Sequence, residues 1–240
     1  MLVILFGLSG VGKTYVGQVL SQCKSFFFFD ADELLTDEMK ECIANKKSFT
    51  QEIRDRYFLL LIDKLTLLCS KYKHVVVSQA FYKNKNREQV LAVFPESLFI
   101  LIESDLKSIM KRIALRQGVV DEEYAKKISS EFEVPKHTYY TVTNELDKNR
   151  DYLLAQFMLI PQFKACVLAL KSNLTPKLTN NSFWKSNFIA LKSLSKSKPD
   201  NKTPLNDREN PKHPESTSLF FKSQNGDAGF KNMNLAYKSS

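Results

Sequence analysis

Residues 7–14 read Gly-Leu-Ser-Gly-Val-Gly-Lys-Thr, a complete match to the pattern G-x-x-x-x-G-K-[ST]. The chemistry that this spacing can perform is capture of a phosphate chain. Gly7, Gly10 and Gly12 let the backbone turn so that successive N–H groups, with those of Leu8, Ser9 and Val11 between them, converge on one anion. A helix starting near Lys13 adds the positive end of its dipole. Lys13 can reach the β- and γ-phosphates of a nucleotide, and the Thr14 hydroxyl can ligate Mg²⁺. The plain alternative is a glycine-rich turn ahead of a helix; the full motif between an apolar run and a helical pattern argues against it. The motif is specific for nucleotide phosphate and silent about the acceptor.

Carboxylates follow at Asp30-Ala31-Asp32-Glu33, directly after the apolar run Phe26 to Phe29. In a parallel sheet, ligands sit beyond the carboxyl ends of the strands. Two carboxylates there suit a phosphoryl-transfer site: Asp32 can accept the proton of, or orient, an acceptor hydroxyl, and Asp30 can hold the metal shell beside Thr14. Helix capping ahead of Leu34 is the competing explanation. Positive charge to meet the moving phosphoryl group can come from Arg112 and Arg116, four residues apart and so on one helix face. A solvated basic face shared with Lys107 and Lys111 is their alternative. Arg54 and Arg87 are candidates for binding the acceptor, although Arg54 beside Asp55 and Arg56 could equally be part of a surface ion pair.

The elements that must position these residues alternate along the chain. Apolar strands are expected at Leu2 to Phe6, Phe26 to Phe29, Val75 to Val77, Leu98 to Ile102 and Thr138 to Val142. Helical spacing runs over Lys13 to Cys23 and Thr50 to Tyr72, from Asp105 to Arg116, over about Asp121 to Phe132, and from Lys148 onward. Short apolar strands separated by helices predict a parallel sheet covered on both faces, a doubly wound α/β domain. Four consecutive aromatics at Phe26 to Phe29 predict a strand buried on both faces. His74 and His137 read as surface residues flanking strands.

With the phosphate loop followed by D-x-D at Asp30 and Asp32, the chain resembles the gluconate kinase and shikimate kinase group, within the broader zeta-toxin-like or AAA-33-type small P-loop kinases. Ser48 to Arg54 is similar to their P-L-T-D-x-D-R segment, and Val75 to Tyr82 to their third strand and following turn. Arg112-Ile-Ala-Leu-Arg116 resembles the R-L-x-x-R that opens their lid, and Ile128 to Pro135 the stretch after it. The resemblance covers about residues 1–155. It implies a five-stranded parallel sheet with a small mobile lid, and transfer of the γ-phosphate of ATP, with Mg²⁺, to a small-molecule hydroxyl, a sugar acid foremost. Asp32 would then face the acceptor hydroxyl, Arg54 would bind the acceptor or its acidic group, and Arg112 and Arg116 would clamp the nucleotide. The acceptor motifs differ: Leu35-Thr36 stands where gluconate kinases show H-P, and their G-H-F-M lid is reduced to Gly118-Val119-Val120.

The whole chain sets bounds. Its 240 residues, 43% hydrophobic and 25% charged, fit one domain plus a tail. The P-loop kinase domain is expected over 1–172. Residues 173–240, rich in Asn, Lys, Ser and Pro, are expected to form a mostly disordered basic tail. Residues 161–240 hold 13 Lys+Arg against 5 Asp+Glu, so most of the +9 formal charge lies there and says little about the catalytic half. Such a tail could touch nucleic acid, and this keeps a nucleotide or polynucleotide 5′-hydroxyl kinase as an alternative. A non-catalytic ATP-binding regulatory module is a third reading. Cys23, Cys42, Cys69 and Cys166 form no CxxC pair, which argues against zinc and for a reducing compartment; a cytoplasmic protein is expected. Tyr152 to Leu170 has the length of a membrane span, but Gln156, Pro161, Gln162 and Lys164 interrupt it, so a buried terminal helix is expected instead.

Overall fold

The computed structural model describes residues 1–22, 26–115, 122–146 and 148–172. The proposed lid residues Arg116 and Gly118 to Val120, Cys23, and the tail 173–240 lie outside the described residues.

Five parallel strands form one sheet in the order β2-β3-β1-β4-β5: β1 (Leu2–Phe6), β2 (Phe26–Asp30), β3 (His74–Ser78), β4 (Leu98–Glu103) and β5 (Tyr140–Thr143). β1 lies at the centre, with Leu2 opposite Val75 and Val3 opposite Leu98. Its five apolar residues are all buried because helices cover both faces of the sheet. Successive side chains of a strand point to opposite faces. Val3 and Leu5 accordingly join one core, with α1 (Lys13–Ser21), α7 (Arg150–Phe157) and α8 (Pro161–Ser172). Leu2, Ile4 and Phe6 join the other, against α3 (Gln51–Lys71) and α4 (Asn84–Val93). The remaining helices are α2 (Asp37–Ala44), α5 (Leu106–Leu115) and α6 (Glu122–Ser129).

Several expectations need correcting. The aromatic run at Phe26 to Phe29 is not buried on both sides, because β2 is an edge strand: Phe26 and Phe29 are buried, while Phe27 and Phe28 are half-buried. Phe27 stacks on Tyr72, 4.0 Å between ring centres, which shields it without closing the sheet. His74 is no surface residue. It lies buried in β3, with Phe26 on one side and the Cys166 thiol 3.4 Å from Nδ1 on the other, and burial lowers its pKa. His137 packs against Phe99, 4.4 Å between ring centres, and its Nε2 has no partner among the described residues. Burial, and then the charge of Arg87, lowers its pKa to about 4, so it is neutral at physiological pH.

The sequence periodicity does not single out α2, α4 or the 3-10 turn at Ala31–Leu34. α2 and α4 are short and polar and carry only one and four buried residues, too few for a clear apolar stripe. The apolar stretch Tyr152 to Leu170 splits into α7 and α8, bent by 102° where Pro161 starts the second helix. Leu154, Phe157, Phe163 and Val167 fill the core from these two helices. No single helix among the described residues is long and apolar enough to cross a membrane.

Candidate functional site

The loop from Gly7 to Gly12 joins β1 to α1 at the carboxyl end of the sheet, as the motif requires. Gly12 occupies the helix N-cap at φ 89°, a left-handed conformation, and a Cβ there would lie 2.3 Å from the Asn144 amide nitrogen. Gly7, at φ 139°, passes so close to β4 that a Cβ would lie 2.5 Å from the Ile102 carbonyl. Both positions therefore demand glycine.

Lys13, Thr14, Asp30 and Asp32, four residues singled out by sequence, line one polar cavity with Ser9, Gly10, Gly12, Ser78 and Gln79. The Lys13 ammonium lies back over the loop, donating to the Gly7 carbonyl at 3.0 Å and the Leu8 carbonyl at 2.8 Å. The Thr14 hydroxyl donates to Asp30 Oδ2 at 2.7 Å, and Asp30 Oδ1 accepts from the Asp32 amide at 3.2 Å. Asp30 thus caps the following turn with one oxygen and accepts from Thr14 with the other. Ser78, opposite Asp30 in the strand register, places a buried hydroxyl in this cavity with no partner among the described residues. Thr14, Asp30 and Ser78 are hard oxygen groups, and no cluster of three or more His, Cys, Asp or Glu exists among the described residues. That set fits a cation such as Mg²⁺, which keeps several waters and takes phosphate oxygens, and not an all-protein cage.

Arg112 and Arg54 sit at the site in different ways. Arg112 flanks the back of the phosphate loop: Nη1 donates to the Val11 carbonyl at 3.3 Å and Ser104 Oγ at 2.8 Å, and Nη2 to the Asn144 carbonyl at 2.7 Å. Arg54 reaches a second cavity, of about 140 Å³, beside the first. There its guanidinium is 2.6 Å from Glu131 and lies over the Phe49 ring. The partner is therefore neither Asp55 nor any other near neighbour in sequence.

Arg87 stands apart from both cavities. It is fully buried, donating from Nε to the Phe81 carbonyl at 2.8 Å and from Nη1 to Asn84 Oδ1 at 2.7 Å, with its guanidinium over the Phe132 ring. Burial brings its pKa down to about 10, which still leaves it charged. It holds the turn after β3, where Phe81 has a left-handed φ of 50°. A guanidinium enclosed in this way braces that turn, and it lines neither cavity.

The second cavity is walled mainly by rings, those of Phe49, Tyr57, Phe58, Phe81, Tyr82 and Tyr124. Leu35, Met39, Ile43 and Ile128 complete its apolar surface. Ser9, Lys13, Asp32 and Gln79 line both cavities, so Asp32 stands where the two meet. Tyr57 donates to the Ala31 carbonyl at 2.8 Å and accepts from Gln79. Burial first, and then the charge of Asp32, keeps this phenol protonated.

The sequence reading assigned no role to Asn144, Gln79, Ser78 or Glu131. Asn144 donates to the Val11 carbonyl at 2.8 Å and so pins the loop from the end of β5. Position beyond a strand's carboxyl end is the signal that could have found Asn144, Ser78 and Gln79. Glu131 carries no comparable signal, because its partner lies 77 residues away.

Comparisons with known proteins bear on the family and the fold. The family model described as shikimate kinase matches residues 9–157. A probable gluconokinase from Xenopus tropicalis is 23% identical over 133 residues, 49% of this chain and 70% of that protein. Among solved structures, a sugar kinase from Janibacter sp. HTCC2649 matches with a TM-score of 0.59 at 16% identity, covering 69% of this chain and 96% of its own. A gluconokinase from Sinorhizobium meliloti 1021 matches with a TM-score of 0.56 at 16% identity, covering 72% and 97%. These two show the fold. The loop, the sheet order and the family match together make the chain a member of the shikimate kinase family, a P-loop small-molecule kinase of the gluconate and shikimate kinase type.

Proposed function

We propose that this protein transfers the γ-phosphate of ATP to a hydroxyl of a small metabolite held in the ring-walled cavity. The observation that carries the reading is the position of Asp32, shared by the phosphate cavity and the second cavity. A hydroxyl entering from the second cavity meets Asp32 on its way to the phosphate. Asp32 orients it and takes its proton as the oxygen bonds to the γ-phosphorus and the bond to the bridging oxygen of the leaving ADP breaks. The amides of residues 7–14 and the start of α1 hold the phosphates, and Lys13 supplies charge to the oxygens of the transferred group. Thr14 and Asp30, with Ser78 beside them, would hold hydrated Mg²⁺, which when bound neutralises phosphate charge. Arg112 keeps the loop's outer wall in place. Arg116 remains a candidate clamp from the sequence alone. The names of the gluconokinase relatives favour a sugar acid as acceptor, with Arg54 as the group to meet its carboxylate.

The test is Asp32→Asn in an ATP-dependent phosphorylation assay over a metabolite pool, with a protein-free reaction as the blank. We expect kcat to fall by about 10²–10⁴-fold with nucleotide affinity retained. Full activity in Asp32→Asn would remove Asp32 from the proton-accepting role.

A further inference from the structure

Resting on the kinase reading above, Asp32 can take a proton from an acceptor only if its carboxylate is held in a fixed place relative to the phosphate loop. The peptide unit that leads into Asp32 is gripped at both ends. Its carbonyl, that of Ala31, accepts from the Tyr57 hydroxyl at 2.8 Å. Its N–H, that of Asp32, donates to Asp30 Oδ1 at 3.2 Å. A peptide unit is planar, so two such holds fix its orientation. On the far side, the Asp32 carbonyl accepts from the Leu35 amide at 3.2 Å.

Both holds lead back to the phosphate loop. The short route is Asp30, whose other oxygen accepts from Thr14. The long route is a chain of hydrogen bonds. The Gly7 N–H donates to the Ala80 carbonyl at 3.3 Å, and the Ala80 N–H donates to Gln79 Oε1. Gln79 Nε2 donates to the Tyr57 oxygen, and the Tyr57 hydroxyl donates to Ala31. Every member donates onward in the same sense, an arrangement in which each bond polarises the next. The sense is forced. The Ala31 carbonyl can only accept, so Tyr57 places its one proton there and its oxygen accepts from Gln79. The amide must then turn Nε2 to Tyr57 and Oε1 to the Ala80 N–H, which can only donate. Tyr57 is 2% exposed and Gln79 9%, so water does not readily replace a partner lost from the chain.

We infer that Tyr57 and Gln79 are positioning residues: they set where Asp32 stands relative to the γ-phosphate, and they act on transfer through Asp32. Tyr57 belongs to α3, Gln79 follows β3 and Asp32 lies in the turn after β2, so one chain of bonds ties together the elements around the wall that the two cavities share. A displacement of about 1 Å in a reacting group costs on the order of 10²-fold in rate.

The experiment is a double-mutant cycle on the full chain with Mg²⁺ and ATP, with a metabolite pool as the acceptor source and phosphorus NMR to follow ester formation. Tyr57→Phe removes the hydroxyl and keeps the ring. We expect it to slow ester formation by about tenfold or more in the wild-type background. Beside Asp32→Asn it should slow it by less than about twofold, because the group it positions is already disabled. Affinity for a non-hydrolysable ATP analogue should change by less than about twofold in calorimetry, since the loop's own bonds are untouched. In amide exchange by NMR, the Asp32 and Leu35 N–H groups should open about tenfold faster in Tyr57→Phe, as the loss of one local hold implies. The Arg54 N–H, bonded to the Thr50 carbonyl at the start of α3, should be unchanged. Equal slowing in both backgrounds, or unaltered exchange at Asp32, overturns the inference and leaves the kinase reading intact. No ester from the wild type overturns the kinase reading, and the inference with it. Should Tyr57→Phe fail to fold, Gln79→Met takes its place in the cycle. About fivefold slowing is then expected in the wild type, the worth of one hydrogen bond, and the same loss of effect beside Asp32→Asn.

Discussion

The two cavities that share Asp32 are built from different materials. The phosphate end is largely backbone: a loop of six residues, a helix start and two strand ends, with side chains that are short or belong to the motif itself. The second cavity is almost all side chain, contributed by residues from Ser9 to Ile128 and brought together by the fold. A backbone cradle tolerates few sequences, because glycine is required wherever φ is positive and space is closed. An apolar wall tolerates many, since rings and aliphatic chains of similar volume substitute for one another. The phosphate loop is therefore written locally in this chain, and the lining of the second cavity is distributed along it.

Substitutions can break or sharpen that contrast. The largest effect is expected at the phosphate end. Lys13→Ala should lower kcat by about 10²–10³-fold, as removal of a group aimed at developing charge does, and weaken ATP binding by calorimetry. Next is Arg87→Met, which leaves the Phe81 and Tyr82 carbonyls and Asn84 without their buried donor. A loss of about 3 kcal/mol in chemical denaturation is expected. Unchanged stability together with lost acceptor affinity would return Arg87 to the acceptor site. Gly12→Ala combines left-handed strain with a clash against Asn144. About 2 kcal/mol of that cost should appear in nucleotide affinity, roughly a thirtyfold rise in Kd, with acceptor binding to the loaded protein little changed. The smallest effect belongs to Glu131→Gln. Removing the anionic partner of the largely enclosed Arg54 should free it for an acid and tighten gluconate binding by about tenfold, roughly 1.4 kcal/mol. Unchanged gluconate binding would remove Arg54 from the acceptor's carboxylate.

The legible part of the molecule follows this division. β1, α1, α3 and β4 are visible in the sequence because each carries a continuous apolar run or a long apolar stripe. Gly7 to Thr14, Asp30 and Asp32 could be found because the motif and the strand ends fix their places. β2 could be recognised as a strand but not as an edge, since aromatic content reports burial potential and not neighbours. Arg54 and Arg87 look alike in sequence, each on a polar helix turn, yet one faces a cavity and the other braces a turn. That difference depends on Glu131, Phe132 and the path of residues 79–84, which local spacing does not encode. Asn144 escaped because a lone asparagine after a short strand has no periodicity to mark it.

The wall held in common by the two cavities has a kinetic consequence. An acceptor seated against Ser9, Lys13, Asp32 and Gln79 fills the wall that the two cavities share, and so stands between the second cavity's solvent and the phosphate end. Occupancy and dryness become one event, so a well-fitting guest without a reactive hydroxyl would protect ATP from wasteful hydrolysis, and a loosely fitting acceptor would let water compete for the same phosphoryl group.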